Sequence, residues 1–400
     1  MEWIKGGVTA PNGFLASGLR AGIKRWSRDL GLLYSKAPAA AAGIFTQNRI
    51  QAAPLRVTRE HLKGGCLQAV IVNSGNANCC TGKEGLRDAR RMAQRTAKEL
   101  GIPGRWVGVC STGTIGVALP MTRIEEKIPF LVADLHPKKH LEFAESILTT
   151  DKKIKEAAVH FASGARKVTI GAVCKGAGMI HPNLATMLCF ITTDAAVGRR
   201  HLRPLLREIG EETFNRITVD GDMSTNDTVL LLANGLSGGP AVSSAAGRSF
   251  RQFEKALRAV MSTLAQKIVS DGEGATQVAE VTVTHARTRE EALRVCRAVA
   301  TSNLVKTALF GRDPNWGRIA ASAGASGVNF RPEKLSIALG EVWCFRGNRP
   351  LVVKKDLREK LFKQHPVKIR VELGMGSEKA SMWTCDLTDE YVRVNAHYRT

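Results

Sequence analysis

The sequence is short of acid. Of its 400 residues 36 are Asp or Glu, against 58 Lys or Arg, which leaves a formal charge of +22. Such an excess invites a polyanionic partner. The basic residues, however, are dispersed through amphipathic segments and form no block. Only three Tyr are present, and no basic motif is interleaved with aromatics. Nucleic acid is therefore not expected as a partner, and the charge reads as solvation plus attraction for small anionic substrates. The chain also lacks any apolar run near the ~18–20 residues that cross a bilayer. Its start, MEWIKGGVTAPNGF, has neither an apolar signal core nor a small-residue cleavage site. No membrane contact is expected, and a cytoplasmic protein is. Paired cysteines are missing too. Nine are present, none in a CxxC pair, with Cys79 and Cys80 adjacent and the rest scattered. An odd count in a chain of this length argues against a disulfide framework, and the spacing fits no zinc site. Most should be buried thiols that behave as small apolar groups. No metal is expected.

What is present is an ordinary globular composition, 44% apolar and 24% charged, enough to bury a large core. Helix and strand signals mix throughout, so the fold class is α/β, or a mixed α+β arrangement. Residues 67–73, LQAVIVN, read as a buried strand that runs into a Gly/Asn turn. Residues 84–100 carry Leu86, Ala89, Met92, Ala93 and Ala97 at helical spacing, and Gly101 stops them. A second strand over 106–110 runs into STGTIG. Residues 120–148 are helical in part, 168–173 are a strand, and the run after Thr186 is another. Helices are expected over 200–215, 250–270 and 288–301, with a strand over 278–286. Residues 236–249, LSGGPAVSSAAGRS, read as a surface loop.

One stretch raises a chemical question. HPNLATMLCFITTDA, residues 181–195, places Ala-Thr between a turn signal and an apolar run. Thr186 reads as a buried β-branched strand residue, or as a nucleophile. An internal Thr has no base beside it. A Thr at a chain N-terminus has its own α-amine, with a reference pKa of roughly 7.7–8.0. Thr186 would reach that state by cutting the Ala185–Thr186 bond. Its Oγ would attack the Ala185 carbonyl, and the resulting ester would be hydrolysed. The small Ala185 side chain leaves that carbonyl accessible, and Pro182 and Asn183 suit a constrained turn. These features permit the cut without requiring it.

Catalysis would also need donors for an oxyanion. Two Gly-containing segments follow strands, NSGNAN at 73–78 and STGTIG at 111–116. Each reads equally as a plain strand-to-helix turn, and neither matches a phosphate-binding P-loop. Lys175 and Glu273 stand among glycines, where a charge can reach a ligand or simply be solvated. Asp220, Asp222 and Asp227 make a carboxylate-rich loop without the length of a calcium hand. Asp313 to Arg318, DPNWGR, is a turn signal whose Arg318 suits a carboxylate clamp or a structural role.

Taken together these segments resemble the ornithine acetyltransferase family, the ArgJ-type glutamate N-acetyltransferases of arginine biosynthesis. The resemblance rests on NSGNAN, STGTIG, TTD at 149–151, KGAGMIHPNLATML at 175–188 and ITVDGDMSTNDT at 217–228. It continues in DGEGAT at 271–276, LVKTALFGRDPNWGRI at 304–319 and DLTDEYVRVNAHYRT at 386–400. They are collinear and span nearly the whole chain. The resemblance implies a two-domain fold built jointly by two self-cleaved pieces, an α chain of 1–185 and a β chain of 186–400. It implies Thr186 as nucleophile, with Thr112 and Gly113 as the oxyanion pair. Substrate contacts fall on Thr149, Lys175, Thr186, Glu273, Asn395 and Thr400. The implied reaction moves acetyl from N2-acetylornithine to glutamate through an acetyl-threonine, with no cofactor. Acetyl-CoA is an implied second acetyl donor that no residue here decides. The pieces are expected to assemble as a hetero-oligomer of αβ pairs. Lys152, Gln277 and His397 depart from the commonest pattern and leave substrate affinity open. Two other readings keep some of these features. One is an N-terminal-nucleophile amidase or aminopeptidase that gives the acyl group to water; DGEGAT and NAHYRT weigh against it. The other is an uncut basic binding protein with Thr186 buried.

Overall fold

Fifteen strands and eleven α-helices make up the computed structural model, which describes residues 1–164, 166–181, 187–239, 242, 247–353 and 355–397. The first sheet takes β1 (Glu2–Ile4), β2 (Phe14–Leu19), β3 (Leu30–Phe45), β4 (Cys66–Asn76), β5 (Val107–Thr114), β6 (Lys155–Ser163), β7 (Arg166–Lys175), β8 (Leu188–Thr193) and β9 (Thr228–Ala233). Their order is β1-β6-β7-β8-β9-β3-β4-β5, with β2 beside β3. Only β4–β5 and β8–β9 pair in parallel. The long β3 serves two neighbours on one side: Leu30 to Ser35 pair with β2, and Ala40 to Phe45 pair with β9. Its register against β4 shifts between Tyr34 and Ala39, where Pro38 has no N–H to give a ladder.

Helices cover both faces of this sheet. They are α1 (Ala53–Leu62), α2 (Gly82–Leu100), α3 (Met121–Ala133), α4 (His140–Ile147), α5 (Arg199–Glu212) and α6 (Arg248–Ser270). Residues 120–148 are thus two helices, α3 and α4. The alternation along β8 shows why its sequence is apolar throughout. Leu188 and Phe190 face α4, where Phe190 meets Phe143 edge-on with ring centroids 5.4 Å apart. Cys189 and Ile191 join the cluster of Leu206, Leu257 and Met261 from α5 and α6. A strand buried on both faces carries no polar alternation. The helices α1, α2 and α3 close over β4 and β5 through Val57, Met92 and Ile124.

The second sheet holds β10 (Val278–Ala286), β11 (Ser336–Leu339), β12 (Val342–Arg346), β13 (Arg349–Pro350), β14 (Val367–Glu372) and β15 (Glu378–Cys385), in the order β13-β12-β11-β14-β10-β15. In β10, Ala279, Val281 and Val283 are buried, whereas Glu280, Thr282 and Thr284 are partly exposed. One face packs on helices α7 (Arg289–Ala300) and α9 (Trp316–Gly324). Helices α8 (Asn303–Phe310), α10 (Lys355–Lys363) and α11 (Asp389–His397) complete the chain. The DPNWGR turn is shorter than its sequence suggests. Asn315 caps α9 by accepting the Arg318 N–H, and the helix begins at Trp316. The sheets are joined where Thr218 N donates to Trp383 O at 2.9 Å and Cys385 of β15 enters the core under the first sheet; Lys306 of α8, 2% exposed, donates from Nζ to the Cys385 carbonyl and so fixes the end of β15.

Two expected turns begin later than read. Residues 73–76 of NSGNAN and 111–114 of STGTIG continue β4 and β5 as a parallel ladder, pairing Asn73 with Ser111, Ser74 with Thr112 and Gly75 with Gly113, and the chain leaves the strands only after Asn76 and Thr114. Each supplies the partner that the low β-propensity of Gly and Asn does not predict. Residues up to 185 supply β1–β7, and residues from 186 supply β8 and β9, which lie between β7 and β3.

Candidate active site

The end of the β4–β5 ladder forms one wall of a cavity. Ser111 Oγ donates to Asn73 Oδ1 at 2.6 Å, and Asn73 Nδ2 donates to Asn76 O at 2.8 Å. Asn226, arriving from the turn before β9, donates from one Nδ2 to Ala77 O and Ser111 O, both at 2.7 Å. These bonds fix Thr112, which is 2% exposed, and Gly113. Gly113 has φ +131°, and a Cβ there would stand 2.3 Å from the carbonyl carbon of Gly75. Only glycine fits.

The facing wall is ionic. Lys175, at the end of β7, is buried and places Nζ 3.3 Å from Thr149 Oγ1. Glu273 is held from two sides: Thr150 Oγ1 donates to Oε1 at 2.6 Å, and Asn395 Nδ2 donates to Oε2 at 2.7 Å. Gly178 permits that approach, since a Cβ there would lie 2.6 Å from the Glu273 carboxyl. Burial pulls the Lys175 ammonium below its ordinary pKa, and the charges of Asp151, Asp227 and Glu273 oppose the shift. Behind it, Lys155 Nζ bridges Asp151 Oδ1 at 2.6 Å and Asp271 Oδ2 at 2.5 Å, with all three side chains no more than 4% exposed. Asp151 Oδ1 also accepts the Gly176 N–H at 2.7 Å, which ties the network to the backbone after Lys175.

Asp220 holds the segment on the other side. Its carboxylate accepts Met179 N at 2.6 Å, Ile180 N at 2.9 Å and Asp222 N at 3.1 Å. Burial pushes its pKa up to about 6 despite those N–H groups. The described chain leaves at His181 and returns at Met187, whose N–H donates to Asp227 Oδ1 at 2.9 Å.

The structure therefore gathers Thr112, Gly113, Thr149, Lys175, Glu273 and Asn395 around one cavity. Ala185, Thr186 and Thr400 lie outside the described residues. Thr150, Ser224, Thr225, Asn226 and Tyr391 also line it without having been assigned a substrate contact, and so does Asp222, read from the sequence only as part of a carboxylate-rich loop. Their signal was present in the ITVDGDMSTNDT and DLTDEYVRVNAHYRT segments, but no local pattern says that these loops converge. Arg318 is not at the cavity. It donates to Leu304 O at 2.9 Å and Thr307 Oγ1 at 3.2 Å and so ties α9 to α8. Lys152 is exposed, with its backbone N–H on Asp271 Oδ2 at 3.2 Å; Gln277 is buried and His397 exposed. His136 and His140 stand four residues apart, but His140 Nδ1 is engaged with Glu156 Oε2 at 2.7 Å. Among the described residues no group of three or more His, Cys, Asp or Glu is placed to hold a metal ion.

The ArgJ family model matches residues 15–400. A relative from Symbiobacterium thermophilum, named arginine biosynthesis bifunctional protein ArgJ, is 48% identical, with both chains covered in full. A protein of the same name from Listeria monocytogenes is 44% identical, again over the full length of both. Among solved structures, ornithine acetyltransferase from Mycobacterium tuberculosis, complexed with ornithine, is 41% identical, covering 46% of this chain and 98% of that one, with a TM-score of 0.44. With relatives of this identity aligned end to end and the family model matching nearly the whole chain, the chain belongs to the ArgJ family.

Proposed function

We propose that the protein is an acetyltransferase of arginine biosynthesis that cuts itself between Ala185 and Thr186 and then moves acetyl from N2-acetylornithine to glutamate on Thr186. The observation that carries this reading is the convergence of Thr112, Gly113, Thr149, Lys175, Glu273 and Asn395 on a single cavity that Gly178 and Met179 also line.

The chemistry follows from the residue types. The α-amine of Thr186 takes the Oγ proton as Oγ attacks the acetyl carbonyl. Thr112 and Gly113 stabilise the oxyanion. The C–N bond to ornithine breaks, and its nitrogen leaves with the proton. Glutamate then enters the same pocket, and its amine takes the acetyl group in the reverse sequence, which gives ping-pong kinetics. Lys175 pairs with the α-carboxylate common to donor and acceptor. Glu273 attracts the side-chain ammonium of ornithine. Thr149, Asn395 and Thr400 hydrogen-bond the α-substituents and close the pocket, keeping water from the acetyl-enzyme. One amide is exchanged for another, so the reaction asks for no cofactor. The curated relatives are named bifunctional, and acetyl transfer from acetyl-CoA to glutamate is the second activity proposed. The two pieces stay interleaved through the first sheet and pair into a hetero-oligomer. The place of work is the cytoplasm, where the amino-acid substrates are; none of the described helices is long and apolar enough to cross a membrane.

A denaturing intact mass spectrum tests this. Pieces ending at Ala185 and starting at Thr186 are expected, with one acetyl group added to the second by N-acetylornithine, and likewise by acetyl-CoA if the second activity is present. A single 400-residue mass without acetyl would overturn the reading.

A further inference from the structure

Lys24 is not among the residues that line the cavity, yet its side chain touches the backbone of both walls. It lies in the loop between β2 and β3. Asp29 fixes that loop: its carboxylate accepts the N–H groups of Ala21 at 2.5 Å, Ile23 at 2.6 Å and Lys24 at 2.8 Å. The Asp29 carbonyl accepts the Ser74 N–H at 2.9 Å, which bonds the loop to the end of β4. The Lys24 stem then lies over Gly75, where a Cβ would stand 2.7 Å from Lys24 Cγ. Gly75 is the ladder partner of Gly113. At its other end Lys24 Nζ donates to Leu148 O at 2.9 Å. The next residue is Thr149, whose Oγ1 accepts from Lys175 Nζ at 3.3 Å.

A brace between two walls needs a hydrogen-bond donor but not a charge. Lys24 brings a charge as well, and the half-buried site makes it costly to keep. Burial pulls the ammonium down to a pKa of about 8, against the opposing charges of Asp29 and Asp151, and the charge of Lys175 lowers it further. Asp29 belongs to its own loop, Asp151 to the segment after Thr149, and Lys175 to β7. The strands under its stem add no charge, since residues 73–76 are NSGN and 111–114 are STGT. Two cations, Lys24 and Lys175, thus act on each other beside the Thr149 segment. A carboxylate arriving on Lys175 is attracted by both and relieves their repulsion.

We propose that Lys24 is a positioning residue for the substrate α-carboxylate: it ties the oxyanion wall to the ionic wall and stands as a second cation behind Lys175. The proposal rests on the reading of Lys175 as the partner of that carboxylate. Lys24 touches no substrate atom and moves no proton in the transfer. The carboxylate is held alike before and during acetyl transfer, so the loss of this charge falls on KM more than on kcat.

The test follows ornithine release from N2-acetylornithine in cut wild type, K24R and K24M, each made as the full chain, from about pH 6.5 to about 9.5. The Thr186 α-amine titrates in the same range, but it is common to all three proteins. Ratios of kcat/KM to the wild type therefore cancel it. Lys24 carries its charge below a pKa of about 8 and loses it above, whereas the guanidinium of K24R stays charged throughout. K24R should match the wild type below about pH 7 and exceed it roughly three- to tenfold above about pH 9. K24M keeps an apolar stem over Gly75 without the charge. It should fall roughly three- to tenfold short of the wild type below about pH 7, chiefly through KM, and match it above about pH 9. A side chain that only braces the walls gives ratios independent of pH, and a flat ratio for either variant overturns the proposal. So does a K24M loss that falls on kcat alone. Should one variant not fold, the other decides by its own ratio. A wild type that takes no acetyl from N2-acetylornithine marks the failure of the underlying reading instead.

Discussion

Two residues show how much chemistry rests on backbone position and on charge balance. Gly113 is confined by the Gly75 carbonyl on one side and by its own positive φ on the other. G113A must push the β4–β5 ladder apart; with Gly113 as the oxyanion donor proposed above, kcat should fall roughly 10²–10³-fold. Steady-state assay of purified, cut G113A checks this. Lys155 is the second case. Burial would lower its pKa, but Asp151 and Asp271 outweigh burial and raise it. Burial would likewise raise Asp151, and Lys155 and Lys175 outweigh that and lower it. The signs follow. Stability from Asp151 is present above the ordinary Asp pKa of about 3.9 and is lost as pH falls through its depressed value. Stability from Lys155 is present below the ordinary Lys pKa of about 10.4 and is lost only as pH rises through its raised value. K155M leaves two buried carboxylates facing each other and should cost about 3–5 kcal/mol. Protonation then relieves the variant, so its stability relative to the wild type should rise on acidification from neutral pH toward about 4. Urea unfolding across that range decides it.

At the scale of elements, legibility depended on whether the signal was local. The amphipathic α2 was readable to within two residues of its start, because Leu86, Ala89, Met92 and Ala97 repeat on one face. The continuous apolar run of β8 was readable as a strand, since both of its faces are buried. β6 was not singled out: KEAAVHFAS is rich in Ala and carries little β-branched signal, and it is held by β7 and by α6 above it. β9 was missed for another reason. Its TVLLLA follows the polar STND segment, which masked the run. The site divides in the same way. Thr112, Gly113, Lys175 and Glu273 were nameable because glycines flank them. The turn from Asp220 to Asp227 read only as a row of carboxylates. Its role at the cavity comes from contacts such as Asn226 to Ser111, 115 residues apart, and no window along the sequence contains both. Asp220 itself is legible only in three dimensions, where three N–H groups meet one carboxylate.

For the whole molecule, the decisive feature is the order of the first sheet. β8 and β9, which follow residue 186, are flanked by β7 and β3, which precede it. While the chain is whole, β7 and β8 are tethered at an effective concentration of order mM, and folding is unimolecular. Once cut, the same pairing becomes an encounter of two molecules. Denatured wild-type enzyme should therefore recover with a yield that rises with protein concentration, whereas uncut T186A should refold with a yield independent of it; guanidinium dilution series of both would show the difference. The net charge of +22 adds repulsion between the fragments, and this should make recovery better at moderate salt. The encoded chain thus acts as its own template, a scaffold consumed in the act of maturation. A mature molecule that opens has no template to return to, so its working life is set by how slowly it opens rather than by how favourable its closed state is.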